Sequence, residues 1–111
     1  MDTEDDLSVT FAALADPTRR RLVELLGEGE RSVGEMAAEV DIHQPGVSRH
    51  LRILHEAGFV SVRAEGQRRL YSLRAEPFLE LDAWMRRYAS DQLARLQRLA
   101  RLVEEDTKKR K

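Results

Sequence analysis

Gln44, Ser48, Arg49 and Arg52 recur at spacings that put them on the outward side of one short helix, and their side chains recognise ligands rather than transform them. Arginine pairs bidentately with guanine and glutamine with adenine, while serine serves a base or a phosphate. Gly46, set among them, keeps the backbone bare enough to approach a groove closely. His50 is placed to meet a phosphate or a base, and its protonation is expected to tune affinity in mildly acid solution. A second group follows in Arg63, Gln67, Arg68 and Arg69, with Arg74 just beyond. From Gln44 to Arg74 the bases are Arg49, Arg52, Arg63, Arg68, Arg69 and Arg74 and the acids are Glu56 and Glu65, so this stretch is positive although the chain carries a formal net charge of -1. A local cationic face is what phosphate binding requires.

The elements that must carry these residues can be read from local signals. Ser32-Val33-Gly34-Glu35 has the capping-box pattern and starts a helix at Val33, whose apolar positions Val33, Met36, Ala37 and Val40 share a face. The pattern halts at Val40-Asp41-Ile42-His43, a turn in which Asp41 tolerates the left-handed conformation. Gln44-Pro45-Gly46 opens a second helix with proline in its first turn; Val47, Leu51, Leu54 and Ile53 form the buried stripe, and Gly58 stops it. Alone, this helix equally fits an ordinary solvated amphipathic helix. Beside it, Phe59–Ala64 and Arg68–Leu73 alternate like strands around Glu65-Gly66-Gln67, a glycine-containing hairpin loop. Two helices, a tight turn and a basic hairpin make a winged helix-turn-helix, mainly α with a small β-hairpin wing.

Two further helices are expected upstream, Leu7–Ala15 and, capped by Asp16 with Pro17 at its first position, Arg19–Gly27; Gly27 and Gly29 bracket the next break. Glu30-Arg31-Ser32 could add a short strand. Downstream, Glu76-Pro77 begins a helix without internal glycine or proline, expected over 77–105 and about 40 Å long at 1.5 Å per residue. Its apolar positions outlast what one small domain covers. The expected partner is the same helix of a second copy, with Leu81, Trp84, Met85, Tyr88, Leu93, Leu96, Leu99 and Val103 in the contact and Val9 and Phe11 of the first helix assisting. The alternative is a helix folded back over its own core. Residues 1–6 read as an acidic tail, 7–105 as the domain and 106–111 as a basic tail.

With 111 residues the chain suits one domain. It has no cysteine, which removes disulfides, thiolate metal sites and thiol nucleophiles. No apolar run approaches the roughly 20 residues of a membrane span, and the N-terminus lacks a secretion signal, so a cytoplasmic protein without membrane contact is expected. An enzyme is not expected: Ser8, Ser32, Ser48, Ser61, Ser72 and Ser90 lack a triad pattern, no glycine-rich phosphate loop occurs, and Glu104, Glu105 and Asp106 read as surface charge. His43, His50 and His55 do not stack on one helical face, and no metal site or cofactor is expected from them.

The blocks Phe11–Leu22, Gln44–Leu54, Glu56–Val60 and Glu65–Tyr71 resemble, in order and spacing from about Val9 to Leu102, the ArsR-type bacterial repressors. The resemblance implies a winged-helix homodimer held by its first and last helices on an operator of two inverted half-sites, with Gln44, Gly46, Ser48 and Arg49 on the recognition helix and Arg68 near the wing tip. It departs from the pattern where Asp41 must take the turn and His43 must serve as helix cap, a weaker choice. Metal sensors of this group bind through cysteines, or through histidine and acids on the last helix; this chain has no cysteine and no histidine there. A metal switch typical of the group is therefore not expected, and these residues name no small-molecule inducer. A repressor that blocks polymerase from double-stranded operator DNA is expected; the alternatives are a winged-helix protein-interaction module and a metal-responsive repressor with a non-standard site.

Overall fold

The computed structural model describes residues 3–109, with side chains from Asp6 onward. Asp2, Arg110 and Lys111, assigned above to the charged ends, lie outside the described residues. Its elements are α1 (Thr3–Leu14), α2 (Pro17–Glu28), β1 (Arg31–Ser32), α3 (Val33–Val40), α4 (Gln44–Glu56), β2 (Val60–Glu65), β3 (Arg68–Leu73) and α5 (Glu76–Lys109). The chain divides after Leu79 into two compact units, the second consisting of the remainder of α5.

Local chemistry explains most boundaries of the first unit. Asp16 Oδ1 accepts from the amides of Thr18 at 2.8 Å and Arg19 at 3.1 Å, capping α2. The carbonyls left open at the end of α1 are met from α2: Arg19 donates to Ala13 O at 2.6 Å and Ala12 O at 3.1 Å, and Arg20 to Leu14 O at 2.7 Å. The capping box is formed in both directions, Glu35 N to Ser32 Oγ at 3.2 Å and Ser32 N to Glu35 Oε1 at 3.0 Å. Asp41 ends α3 at φ 56°, ψ 46°, the left-handed conformation expected of it. His43 stands at the N-cap of α4 without a side-chain hydrogen bond, so that helix begins on proline geometry alone.

The three-stranded antiparallel sheet has the order β1-β3-β2, so the short β1 pairs with β3, not with β2. Leu22, Leu26, Met36, Val47, Leu51, Leu54, Phe59 and Val60 form the core, and the Phe78 ring meets Phe59 edge-on at 5.3 Å. Burial on this scale, at roughly 1.5–3 kcal/mol per large side chain, is what fixes α4 against the sheet.

Several boundaries differ from expectation. α1 starts at Thr3, inside the stretch read as an acidic tail, and α2 runs through Gly27 to Glu28. Glu65 pairs with Arg68, so the hairpin loop is the two residues Gly66-Gln67 with Gly66 at φ 61°, rather than three. In the second unit α5 reaches Lys109, past the end expected near residue 105; no glycine or proline lies there to stop it, and Lys108 and Lys109 in its last turn suit the negative end of the helix dipole. Trp84 and Tyr88 stack one turn apart along it, ring centroids 5.6 Å apart.

Candidate nucleic-acid interface

α4 buries Val47, Leu51 and Leu54 fully and leaves Gln44, Ser48, Arg49 and Arg52 exposed. The burial follows from the 3.6-residue period, because a helix that seats one stripe in the core must turn the opposite one to solvent. The outward face is polar and cationic throughout, unlike the apolar surface on which protein partners dock. Gly46 has a second reason to be small: a Cβ there would stand 3.0 Å from Ile42 Cγ2, so the tight turn packs against it.

His50 is half-buried and turned inward, its Nδ1 3.4 Å from Arg19 Nη1 and 4.0 Å from Asp16 Oδ1. Asp16 is thereby held below the usual carboxylate range, chiefly by the Arg19 amide, with His50 and the Thr18 amide adding to the effect. A junction is formed in which the end of α1, the start of α2 and the middle of α4 meet. Sequence spacing shows none of this, since the partners come together only in the fold.

On the hairpin, the arginines part into two kinds. Arg63 is bidentate to Glu30, at 2.9 and 2.8 Å, and also reaches Glu65 at 3.4 Å. Arg68 donates to Glu35 Oε1 at 2.7 Å. These pairs lower the Glu30 carboxyl, through the Arg63 hydrogen bond, and raise the Arg63 guanidinium in return. Glu35 is lowered mainly by the Ser32 amide and hydroxyl, with Arg68 a smaller influence. Arg74 lies 3.4 Å from Glu76 at the start of α5. Arg49, Arg52 and Arg69 form no ion pair among the described residues. Gln67 is exposed in the loop of the wing. The acids Glu30 and Glu35, which sequence reasoning did not place beside the wing, thus decide which of its cations remain uncompensated.

Among the described residues no group of three or more histidine and acidic side chains is arranged to hold a metal ion, and no helix is long and apolar enough to cross a membrane. Of the residues expected at a contact with a second copy, Leu81 and Trp84 are half-buried, whereas Val9, Phe11, Met85, Tyr88, Leu93, Leu96, Leu99 and Val103 are exposed.

Comparison with known proteins agrees with this architecture. A family described as a helix-turn-helix domain matches residues 14–63. The transcriptional repressor SdpR of Bacillus subtilis is 37% identical over 75 residues, which cover 68% of this chain and 83% of that protein. A solved ArsR family transcriptional regulator superposes with a TM-score of 0.68 at 32% identity, covering 88% of this chain and 93% of the other. A homodimeric winged helix-turn-helix DNA-binding domain from Mycobacterium bovis, described as a possible ArsR-family regulator, gives a TM-score of 0.61 at 26% identity, covering 96% of this chain and 85% of its own.

Proposed function

We propose, from the premise that this chain belongs to the ArsR-type family of winged helix-turn-helix DNA-binding transcriptional regulators, a cytoplasmic repressor that binds an inverted-repeat operator as a homodimer. The observation that carries the reading is the exposed set Gln44, Ser48, Arg49 and Arg52 on a helix whose other side is locked in the core. Inserted in a major groove, Gln44 and Arg49 read base edges, Ser48 a base or phosphate, and Arg52 the backbone. Gln67 at the wing tip meets the neighbouring minor groove. His50 supports the helix from behind through Arg19 and Asp16.

Two copies pair through the exposed apolar residues of α5, with Val9 and Phe11 of α1 contributing. A stripe of exposed apolar side chains at Leu93, Leu96, Leu99 and Val103 is costly in water and is covered at low cost by its own symmetry mate. The pairing sets the two recognition helices about 34 Å apart, or a multiple of it, so that both enter one face of a duplex. Bound over a promoter, the dimer excludes polymerase.

Titration of labelled promoter fragments with purified protein in dilute salt tests the reading. The expected result is saturable binding with two chains per duplex; a chain that binds no promoter fragment, or binds all duplexes equally under every salt condition, contradicts it.

A further inference from the structure

We propose that the groove between α4 and the wing seats one sugar-phosphate strand of a DNA duplex, gripped by Arg52 and Arg69, while Arg63 and Arg68 of the same hairpin brace the wing. This rests on the DNA-binding reading above and assigns, within it, which cations meet phosphate.

The groove encloses about 330 Å³. Leu51, Val62 and Tyr71 contribute its apolar part, and Ser48, Arg52, His55 and Arg69 its hydrogen-bonding part. Guanidinium, hydroxyl and imidazole groups from two elements therefore converge on one cleft, a donor set suited to an anionic oxygen, while the apolar part suits the face of a deoxyribose. Topology supplies the occupant. When a helix lies in a major groove and a hairpin lies on the adjoining minor groove, the element of the duplex that separates the two grooves is a single backbone strand. It must pass between helix and hairpin, where this groove lies.

The pleat explains why the wing's arginines divide. Successive strand residues face opposite sides of a sheet. Val62 pairs with Tyr71 and Ala64 with Arg69, and Val62, Arg69 and Tyr71 all line the groove. Arg63 and Arg68 occupy the alternate positions and meet Glu30 and Glu35. Arg68 with Glu35 is neutral as a unit and Arg63 with Glu30 and Glu65 is acidic, and a phosphate that drew either arginine away would leave a carboxylate beside it. Arg52 and Arg69 have no such counter-charge among the described residues, so their full charge is available.

The test compares the full-length chain with its Arg52→Gln, Arg69→Gln, Arg63→Gln and Arg68→Gln variants by fluorescence anisotropy on a labelled duplex between about 50 and 200 mM potassium chloride. Arg52→Gln and Arg69→Gln are each expected to flatten the slope of log K against log salt by about 0.9 per bound protomer, and Arg63→Gln and Arg68→Gln by less than about half of that. Inorganic phosphate, substituted for chloride at equal ionic strength, is expected to displace no additional duplex. Unchanged slopes for Arg52→Gln and Arg69→Gln, equal flattening by all four, or displacement specific to phosphate overturns the assignment. Failure of the unaltered protein to bind any duplex would instead remove the DNA-binding reading, and the assignment with it.

Discussion

Arg68 on the wing and Ser32 at the head of α3 share one acceptor: Glu35 Oε1 receives the guanidinium at 2.7 Å and the amide at 3.0 Å. The cap that starts the first helix of the motif is thus also the anchor of the hairpin, and one carboxylate sets both. Glu35→Gln keeps an oxygen for the cap, since glutamine serves in a capping box, but removes the charge that neutralises Arg68. The variant is expected to bind duplex more tightly at low salt and with a steeper salt slope, measured by anisotropy. Weaker binding, or an unchanged slope, contradicts the neutral pairing of Arg68.

Asp16 makes stability depend on acid. Its carboxyl is held below the usual value of 3.8, first by the Arg19 amide. The unfolded chain binds that proton more readily than the folded one, so the contribution is complete above the ordinary carboxylate range and is lost as pH falls through the lower, folded-state value. Urea unfolding at a series of pH values should show stability falling below about pH 4. Asp16→Asn, which retains a capping oxygen, should make that fall shallower, with Glu30, Glu35 and Glu76 supplying the remainder through carboxyls lowered in the same direction. At neutral pH Asp16→Ala should cost about 1 kcal/mol through loss of the cap.

Arg49 and Arg52 lie one turn apart on the exposed face of α4 but are assigned different partners. Arg49→Ala should reduce discrimination between the operator and a singly substituted operator by about 1–3 kcal/mol at the base it reads, with a smaller effect on unrelated duplex. Competition titrations with substituted operators measure this. Uniform weakening across all sequences would make Arg49 a phosphate contact instead.

The exposed stripe of α5 should respond to charge. Leu96→Glu places a carboxylate at the middle of the row formed by Leu93, Leu96, Leu99 and Val103. The expected outcome is a monomer at micromolar concentration in sedimentation equilibrium, with helical content retained in the winged unit. A variant that remains dimeric would move the contact elsewhere.

What could be read from the chain in advance was what is local. Ser32 and Glu35, Asp41 in its left-handed turn, Asp16 before Pro17, and the stripe Val47, Leu51 and Leu54 all act within one or two helical turns, so residue type and spacing carry them. The partners of the wing arginines could not be read, because Arg63 and Glu30 are separated by 33 positions and meet only through the β1-β3-β2 order. Counting arginines between Gln44 and Arg74 therefore overstated the available charge. The inward setting of His50, read from the sequence as a phosphate or base contact, was illegible for the same reason: its neighbours Arg19 and Asp16 come from α2 and the residue that caps it. The hairpin loop was read one residue too long because register, fixed by Glu65 opposite Arg68, is a property of the pair of strands and not of either alone.

The most direct test of the central claim, that paired copies read a symmetric site through the exposed face of α4, is sequencing of genomic fragments retained by the purified protein. The account predicts enrichment of one motif with two inverted half-sites separated by about one helical turn or a multiple of it, with the preference at one position of each half-site relaxed in the Arg49→Ala variant. Retention of fragments without a shared motif, or of a motif without symmetry that Arg49→Ala leaves unchanged at every position, would contradict it.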